Sequence, residues 1–390
     1  MATTRLALVL VMYINFWYPV VQSTKLEDKP QKIRMLGQDF VVFRDTQGNA
    51  HCLADTCVHR GGSLAKGKIN GDCIQCPYHG WEFNGAGECQ RIPSLGPNPK
   101  IPGRTRTDAY PVEEKYGLVF AFLGDLAPED RPPMIEMPEF GKEGWRATWT
   151  EFETTFNYER SIENGLDPAH NEFVHPTHGF SGANEEYRVN ELRWLGDPVW
   201  GEGFFHKFNS PEADDSEWAK MKKASSDREV GSGHIGPNQI WTYIRYGEGR
   251  AMHQYLYEAP IDATHTRIWL VNMRNSFLEP ELDDKVNARN WKVVSQDIGV
   301  LENLHPKLTP LNNTREFMVP ADEPILRYRD KLRNWDAMGW RIDNDALESS
   351  EGKIAFAIPS PGRREHKSWV LDPIPLVPGK PEEVRKSQAG

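Results

Sequence analysis

CVHRGG, residues 57–62, and CPYHGW, residues 76–81, are the two stretches that decide the fold of this chain. They form the pattern Cys57-x-His59, sixteen residues, and then Cys76-x2-His79. Thiolates and imidazoles are the ligands that zinc and iron–sulfur clusters accept. Two interpretations follow: a closed tetrahedral zinc site, or a [2Fe–2S] centre in which two cysteines hold one iron and two histidines hold the other.

The order of the ligands favours the cluster. Cysteine and histidine alternate in each stretch, so each loop gives one ligand to each iron. Gly61, Gly62 and Gly80 stand beside the ligands, and glycines let backbone N–H groups approach cluster sulfurs closely. Cys73-x2-Cys76 also reads as half of a zinc ribbon, which stays open as an alternative at this point.

Cysteine content and charge limit the class of protein. An odd number of cysteines within one short segment is a poor disulfide framework and indicates metal binding in a reducing compartment, so a cytoplasmic location is expected. The net charge of −10 argues against nucleic acid or an anionic membrane as a partner. The five cysteines are Cys52, Cys57, Cys73, Cys76 and Cys89.

Turn signals divide the chain into two parts and predict an α+β fold. Residues 33–125 contain short strands with Asn-Gly dipeptides at 70–71 and 84–85, as in a small antiparallel β domain. Residues beyond 140 mix strand-like stretches with helical ones, including a long helix at 281–304. The apolar face expected for that helix consists of Val286, Trp291, Val294, Ile298 and Leu301. The predicted limits are 13–126 for the first domain, 127–140 for a linker, 141–375 for the second domain and 376–390 for a flexible tail.

The apolar stretch RLALVLVMYINFWYPVV, residues 5–21, needs an assignment of its own. Asn15 and Pro19 interrupt it, which argues against a membrane span. A cleaved signal peptide is the alternative, but a segment of the core is the favoured interpretation, and Met12 is a second possible start.

The two metal-ligand stretches resemble those of the Rieske non-haem iron oxygenases, the terminal oxygenases of bacterial aromatic hydroxylation and demethylation systems. FWYPVVQSTKL at 16–26, LGQDFVVFRD at 36–45 and RIPS at 91–94 resemble that family as well. The resemblance implies that Cys57, His59, Cys76 and His79 hold a Rieske [2Fe–2S] cluster. It leaves the other three cysteines as small packed residues. It also implies a catalytic domain with a helix-grip fold, in which an antiparallel sheet wraps around helices.

The same resemblance implies a mononuclear Fe(II) site. Asp167-x2-His170-x4-His175 matches the spacing with which the family presents its two iron-binding histidines, and His178 is a competing ligand. The third ligand is expected from the long helix, where the family pattern points to Asp297. The alternatives are Asp283, Asp284 and Glu302.

Asp167 and Asn164 are expected to support the iron site. Asp167 is expected to cap a helix beginning at Pro168 and to accept the second N–H of His170. In the family, the matching aspartate also bonds a cluster histidine of the neighbouring subunit. This predicts a link from His79 of one chain to His170 of the next within a homotrimer. Asn164 matches a position near the iron.

The resemblance therefore implies a terminal oxygenase that uses O2 and electrons from a separate NAD(P)H-dependent reductase, with or without a ferredoxin. The single-chain form is similar to homotrimeric oxygenases of carbazole, dicamba and vanillate. The reaction is a hydroxylation, dioxygenation or demethylation of an apolar or aromatic small molecule. Oxygenases of chlorophyll-type tetrapyrroles and a non-catalytic Rieske electron-transfer protein are the alternatives.

The substrate pocket is expected to draw on residues 180–280. Arg245 and Arg250 are candidates to pair with a carboxylate or phenolate of the substrate. Most aromatic residues of that window are expected in the core of the sheet: Trp194, Trp200, Phe204, Phe205, Trp241, Tyr243, Tyr255, Tyr257 and Trp269.

Overall fold

The computed structural model describes residues 12–189, 191–197, 199–210, 225–247, 249–310 and 313–380. The chain divides into two compact units. The first unit comprises Met1–Pro132, Ala259–Ala263 and Trp335–Gly390, and the second comprises Pro133–Glu258 and Thr264–Asn334. The sequence-based limits of the domains stay a prediction; residues 335–375, which they assign to the second domain, group with the first unit here.

Short antiparallel strands build the first unit. Three sheets have the orders β1-β11-β10, β2-β3-β4-β9 and β5-β6-β7-β8, and a two-residue parallel pair β19-β20 lies near the C-terminus. The strands are β1 Phe16–Gln22, β2 Gln31–Met35, β3 Gln38–Arg44, β4 Ala50–Ala54, β5 Lys68–Asn70, β6 Cys73–Gln75, β7 Glu82–Asn84, β8 Cys89–Arg91, β9 Ala109–Tyr110, β10 Val112–Lys115, β11 Leu118–Leu123, β19 Phe356–Ala357 and β20 Asp372–Pro373.

The predicted core role of the N-terminal apolar stretch is confirmed from Met12 onward. Met12 and Tyr13 are buried, and β1 pairs with β11, whose six residues are all buried. Residues 1–11, where a signal peptide would begin, lie outside the described residues. Among the helices that the structure describes, none combines the length and apolar character needed to cross a membrane.

A seven-stranded sheet dominates the second unit and has the order β12-β18-β17-β16-β15-β14-β13. Its described registers are antiparallel, which confirms the predicted α+β class with an antiparallel sheet packed on helices. The strands are β12 Arg146–Thr154, β13 Arg193–Asp197, β14 Gly201–Ser210, β15 Ser225–Ile235, β16 Gln239–Gly247, β17 Arg250–Pro260 and β18 Thr266–Arg274.

Helices cover one face of this sheet. Within the described ranges, the α-helices are α1 Tyr158–Leu166, α2 Asn171–Val174, α3 Asp283–Leu301, α4 Glu323–Ala337, α5 Asn344–Ser349 and α6 Gly362–Glu365. Helix α1 packs on β15 and β16, α3 packs on β12, and the two helices also contact each other. Single turns of 3-10 helix lie at Ser23–Lys25, Leu64–Lys66, Pro93–Leu95, Pro128–Asp130, Pro176–His178, Pro280–Leu282, Asn313–Arg315 and Pro320–Asp322.

Two local predictions are wrong. Trp291 does not belong to the buried face of α3, because 45% of it is exposed; its ring makes an edge contact with Phe152. Asp167 does not cap a helix that begins at Pro168. It follows the last residue of α1, its carboxylate accepts the N–H of Ala169 at 2.7 Å, and α2 begins only at Asn171.

Candidate metal centres and cavity

Two tight turns of the first unit carry the predicted cluster ligands. The Cys57 N–H donates to the Gly62 carbonyl at 2.8 Å, and the Cys76 N–H donates to the Trp81 carbonyl at 2.7 Å. Gly61 and Gly80 have φ values of +73° and +68°, which residues with a Cβ rarely adopt. The turns thus depend on the glycines that the sequence places beside the ligands.

The four predicted ligands differ in exposure. Cys57 and Cys76 are buried at 1% and 2% exposure, whereas His59 and His79 are exposed, with ring centroids 4.4 Å apart. A Cβ on Gly62 would lie only 3.1 Å from the Cys76 sulfur, so this backbone segment runs directly against the sulfur. The arrangement suits a cluster whose cysteine-bound iron is covered and whose histidine-bound iron faces outward.

A closed zinc site fits these turns less well. Zinc–ligand bonds of about 2.0–2.3 Å require four ligand atoms within about 4 Å of one another. In the described part of the chain, one group brings three possible ligand atoms to within 4.8 Å of one another, and it lies in the second unit. The side chains of the four turn ligands are not close enough together to form such a group, which favours a two-iron cluster over a single ion.

That group consists of His170, His175 and Asp297. The Nε2 atoms of the two histidines are 3.1 Å apart, and the Oδ1 atom of Asp297 lies 3.3 Å from His175 Nε2 and 3.7 Å from His170 Nε2. His170 lies at the start of α2, His175 directly follows it, and Asp297 lies on α3. Two imidazoles and one carboxylate on one side of a space are the ligand set of non-haem Fe(II) sites with open positions.

Backbone and amide groups orient both imidazoles. The Nδ1–H of His170 donates to the backbone carbonyl of Asp167 at 2.8 Å, while the Asp167 carboxylate stays 3.8 Å away. The expectation that this carboxylate accepts the N–H within the same chain is therefore wrong. Nδ1 of His175 lies 3.2 Å from the Gln296 amide oxygen, and the Gln296 NH2 donates to the Thr177 hydroxyl at 2.6 Å. Sequence reasoning assigned no role to Gln296, although it directly precedes Asp297.

The carboxylate has a support of its own. The Asn164 amide donates to Asp297 Oδ1 at 3.0 Å, which places Asn164 beside the three candidate ligands. The neighbouring Glu163 is buried between Arg160, at 2.9 Å, and Arg329, at 2.6 Å. Arg160 lies on α1 itself, whereas Arg329 lies on α4, so the Glu163–Arg329 pair connects α1, which carries Asn164, to α4.

The alternative ligands have other contacts. Asp283 pairs with Arg146 at 2.7 Å and also with Arg274, and Asp284 is exposed. Glu302 accepts the Thr155 hydroxyl at 3.0 Å. The His178 ring lies 5.1 Å from that of His175 but does not belong to the group of three.

Burial and hydrogen bonds shift the pKa values in this group in different directions. Burial lowers the pKa of His170 and raises that of Asp167. Burial also acts to lower the pKa of His175, but the hydrogen bonds to Asp297 and Gln296 outweigh it and raise the pKa. The lowered pKa of His170 favours the neutral form that binds a metal.

A cavity of about 200 Å³ opens onto the three candidate ligands. Its walls come from α1, the segment 167–180, α3 and one face of the large sheet. Most of the sheet side is apolar, as expected for a small-molecule site. The apolar sheet residues that line it are Phe152, Phe204, Val230, Ile240, Ile244, Leu256, Ile268 and Leu270.

The cavity confirms the predicted window 180–280 in part. Phe204 is the one aromatic residue of those named for that window that lines the cavity; the others have their side chains elsewhere. Arg245 and Arg250 do not line it, and Arg245 pairs with Glu229 at 2.6 Å. The proposal that these arginines hold a substrate anion is therefore wrong. Of the described residues that line the cavity, the arginine is Arg289, on α3.

Two known families match the chain, and each match contains one of the two groups of candidate metal ligands. Residues 16–110 match the family described as the Rieske [2Fe-2S] domain. Residues 155–338 match the C-terminal domain of vanillate O-demethylase oxygenase. The first match contains the four predicted cluster ligands, and the second contains the group of three.

Individual proteins show the same likeness. The oxygenase component of 3-ketosteroid-9-alpha-monooxygenase from Rhodococcus rhodochrous is 37% identical over 166 residues, which are 41% of this chain and 43% of that protein. The phenoxybenzoate dioxygenase subunit alpha of Ectopseudomonas oleovorans is 35% identical over 182 residues, 43% of this chain and 44% of that protein. The matched segment thus spans less than half the length of these relatives.

Among solved structures, NdmA of Pseudomonas putida CBB5 with caffeine is similar over 83% of this chain and 91% of that chain. The TM-score is 0.70 and the identity is 25%. This likeness extends over both compact units, beyond the segment shared with the relatives above.

Proposed function

Because the chain belongs to the Rieske non-haem iron oxygenase family, we propose that it is the terminal oxygenase of a multicomponent system. It uses O2 and electrons from a separate NAD(P)H-dependent reductase, with or without a ferredoxin. The reaction is a hydroxylation, dioxygenation or demethylation of a small apolar or aromatic molecule. We keep the cytoplasmic location as a prediction.

The observation that carries this proposal is the convergence of His170, His175 and Asp297 at the end of an apolar cavity. A Rieske electron carrier has no need for a second group of ligands beside a substrate-sized space. The volume of about 200 Å³ lies below the roughly 300–1,000 Å³ of pockets for drug-sized ligands. It therefore favours a compact substrate over a tetrapyrrole.

The donor set fits a mononuclear Fe(II), and the two turns of the first unit fit a [2Fe–2S] cluster. When bound, these groups supply O2 activation and one-electron transfer. The protein supplies the rest. Gln296 fixes the ring of His175, Asn164 holds the Asp297 carboxylate, and the backbone carbonyl of Asp167 holds the ring of His170. Such partners make the imidazoles better ligands and set their orientation. The apolar walls exclude water from the reacting group of the substrate.

A homotrimer with head-to-tail contacts belongs to the proposal. The exposed ring of His79 and the incompletely buried carboxylate of Asp167, with 24% of its side chain accessible, support it. The carboxylate accepts the N–H of Ala169 at 2.7 Å, and since a carboxylate offers about four lone pairs it can accept a further hydrogen bond from a partner.

The test replaces one ligand and keeps the cluster. His170→Ala is expected to retain the visible spectrum of the cluster and to lose product formation with a surrogate reductase. His265→Ala is the matched control, because His265 is exposed in the turn between β17 and β18. It should keep both properties. Product formed by His170→Ala at the native rate contradicts the proposed iron site, and a native protein that takes up electrons but never consumes O2 supports an electron carrier.

A further inference from the structure

A polar row crosses the apolar floor of the cavity. Gln254 on β17 is directly opposite Thr242 on β16, and Thr242 is directly opposite Ser232 on β15. All three line the cavity. Side chains directly opposite each other in an antiparallel pair lie on the same face of the sheet. The row therefore continues across three neighbouring strands.

Aliphatic pairs border this row on both sides. Val230 is opposite Ile244 on one side, and Ile240 is opposite Leu256 on the other. These four residues line the cavity as well. The amide and the two hydroxyl groups are thus polar groups in an otherwise aliphatic surface, and apolar contacts do not satisfy their hydrogen bonds.

Two members of the row have no hydrogen-bond partner among the residues that the structure describes. The Ser232 hydroxyl donates to the Gly165 carbonyl at 2.6 Å and thereby ties the sheet to α1. Among the described residues, neither the Gln254 amide nor the Thr242 hydroxyl makes a hydrogen bond to another side chain or to the backbone. Both residues are half-buried and reach the cavity. A ligand that fills the cavity removes water from these groups, so it must offer them a hydrogen bond or bear the cost of leaving them unpaired.

The charge of the lining favours a neutral ligand. Burial lowers the pKa of His206, on the same face, to about 4, so this imidazole is uncharged at neutral pH. The guanidinium among the lining residues is that of Arg289, which comes from α3 and not from the sheet. A buried carboxylate over the polar row would therefore lack a cation within that row.

We propose, on the basis of the oxygenase function proposed above, that the substrate is an uncharged apolar molecule with one carbonyl, amide or hydroxyl group, and that Thr242 and Gln254 bind this group. The amide and the hydroxyl each donate and accept, so either polarity of ligand group is satisfied. The rest of the molecule contacts the aliphatic pairs. Thr242 and Gln254 thus set the specificity and also the orientation of the substrate relative to the three candidate ligands.

The test compares three ligands with one skeleton: indane, 1-indanone and indane-1-carboxylate. Equilibrium dialysis against the metal-loaded protein measures their dissociation constants without any turnover. The native protein should bind 1-indanone about three- to tenfold more tightly than indane, as expected for one or two hydrogen bonds to otherwise unpaired groups. It should bind the carboxylate most weakly.

Variants test whether the polar row causes the tighter binding of 1-indanone. In Thr242→Val with Gln254→Met, the advantage of 1-indanone over indane should disappear, whereas Leu256→Met, an apolar exchange on the same face, should keep it. If the double variant does not fold, Thr242→Val alone takes its place, because valine has nearly the same shape as threonine. This single variant should reduce the tighter binding of 1-indanone relative to indane.

Three results overturn the proposal: an unchanged advantage in the folded variants, tightest binding of the carboxylate, or no binding of any of the three. The second result would assign ligand recognition to Arg289. The predicted binding pattern without O2-dependent product in a reductase assay would instead contradict the oxygenase function and leave the binding site in place.

Discussion

Glu258→Gln should remove the loss of stability that ionisation of Glu258 is expected to cause between mildly acidic and mildly basic pH. Glu258 is fully buried in the second unit, where its Oε1 accepts the hydroxyl of Ser161, a cavity-lining residue, at 2.7 Å. Its Oε2 has no partner among the described residues. Burial raises the pKa of Glu258 from 4.5 to about 8, so the folded protein holds a neutral carboxylic acid at neutral pH.

The sign and size of the effect follow from this pKa. Because the folded pKa is the higher one, the contribution to stability is complete below pH 4.5 and is lost as the pH rises towards 8. At about 1.4 kcal/mol per pKa unit, the difference amounts to about 5 kcal/mol in the free energy of unfolding. Glutamine does not titrate and has nearly the same shape. The variant should therefore resemble the native protein near pH 5 and be several kcal/mol more stable at pH 8.

Urea unfolding of both proteins at pH 5, 6, 7 and 8, with equal metal content, measures this difference. The exposed Glu185→Gln is the matched control and should run parallel to the native protein. Two results would refute the reasoning. In the first, the free energy of unfolding of Glu258→Gln changes with pH as that of the native protein does; in the second, the variant is less stable than the native protein by the same amount at every pH. Either result would show that Glu258 is not a buried neutral acid.

Three further predictions concern the metal centres. Gln296→Leu removes the partner of His175 and should weaken iron binding about tenfold in an Fe(II) titration; unchanged affinity contradicts the positioning role. Asp167→Asn should keep both metals but slow electron transfer between chains in a single-turnover experiment, and an unchanged rate contradicts the bridging role. Gly62→Ala places a methyl group 3.1 Å from the Cys76 sulfur and should reduce the acid-labile sulfide content, whereas Gly103→Ala meets no atom within 4 Å and should not; equal sulfide in both contradicts the close approach.

The ligand motifs and the strand pattern were within reach of sequence reasoning because each depends on short spacings. The Asn-Gly at 70–71 forms the predicted hairpin between β5 and β6. His170 and His175 are five residues apart and flank the short helix α2 on its two sides. The helix expected at 281–304 appears as Asp283–Leu301. The resemblance to a known family added Asp297, which no local spacing connects to the histidines.

The composition of the cavity was beyond such reasoning, since it depends on which face of each strand points inward. Trp241 and Tyr243 alternate along β16 with Ile240, Thr242 and Ile244, and only the latter three line the cavity. Alternation separates the two sets, but nothing in the sequence says which set faces the helices.

The polar row was beyond reach for a related reason. Ser232, Thr242 and Gln254 are ten and twelve residues apart and meet only through the register of three strands. Register follows from the pairing of whole strands, and a shift by one residue would move each side chain to the opposite face. Glu258 and Ser161 likewise come together only when α1 packs on the sheet.

Iron and acid-labile sulfide analysis of protein purified without oxygen tests the central claim most directly. We expect about three irons and two sulfides per chain: two irons and two sulfides in a Rieske cluster of the first unit, and one iron at His170, His175 and Asp297. The material should be red-brown, and Asp297→Ala should lower the iron content to about two without loss of sulfide. Colourless protein with zinc and no sulfide would contradict the account.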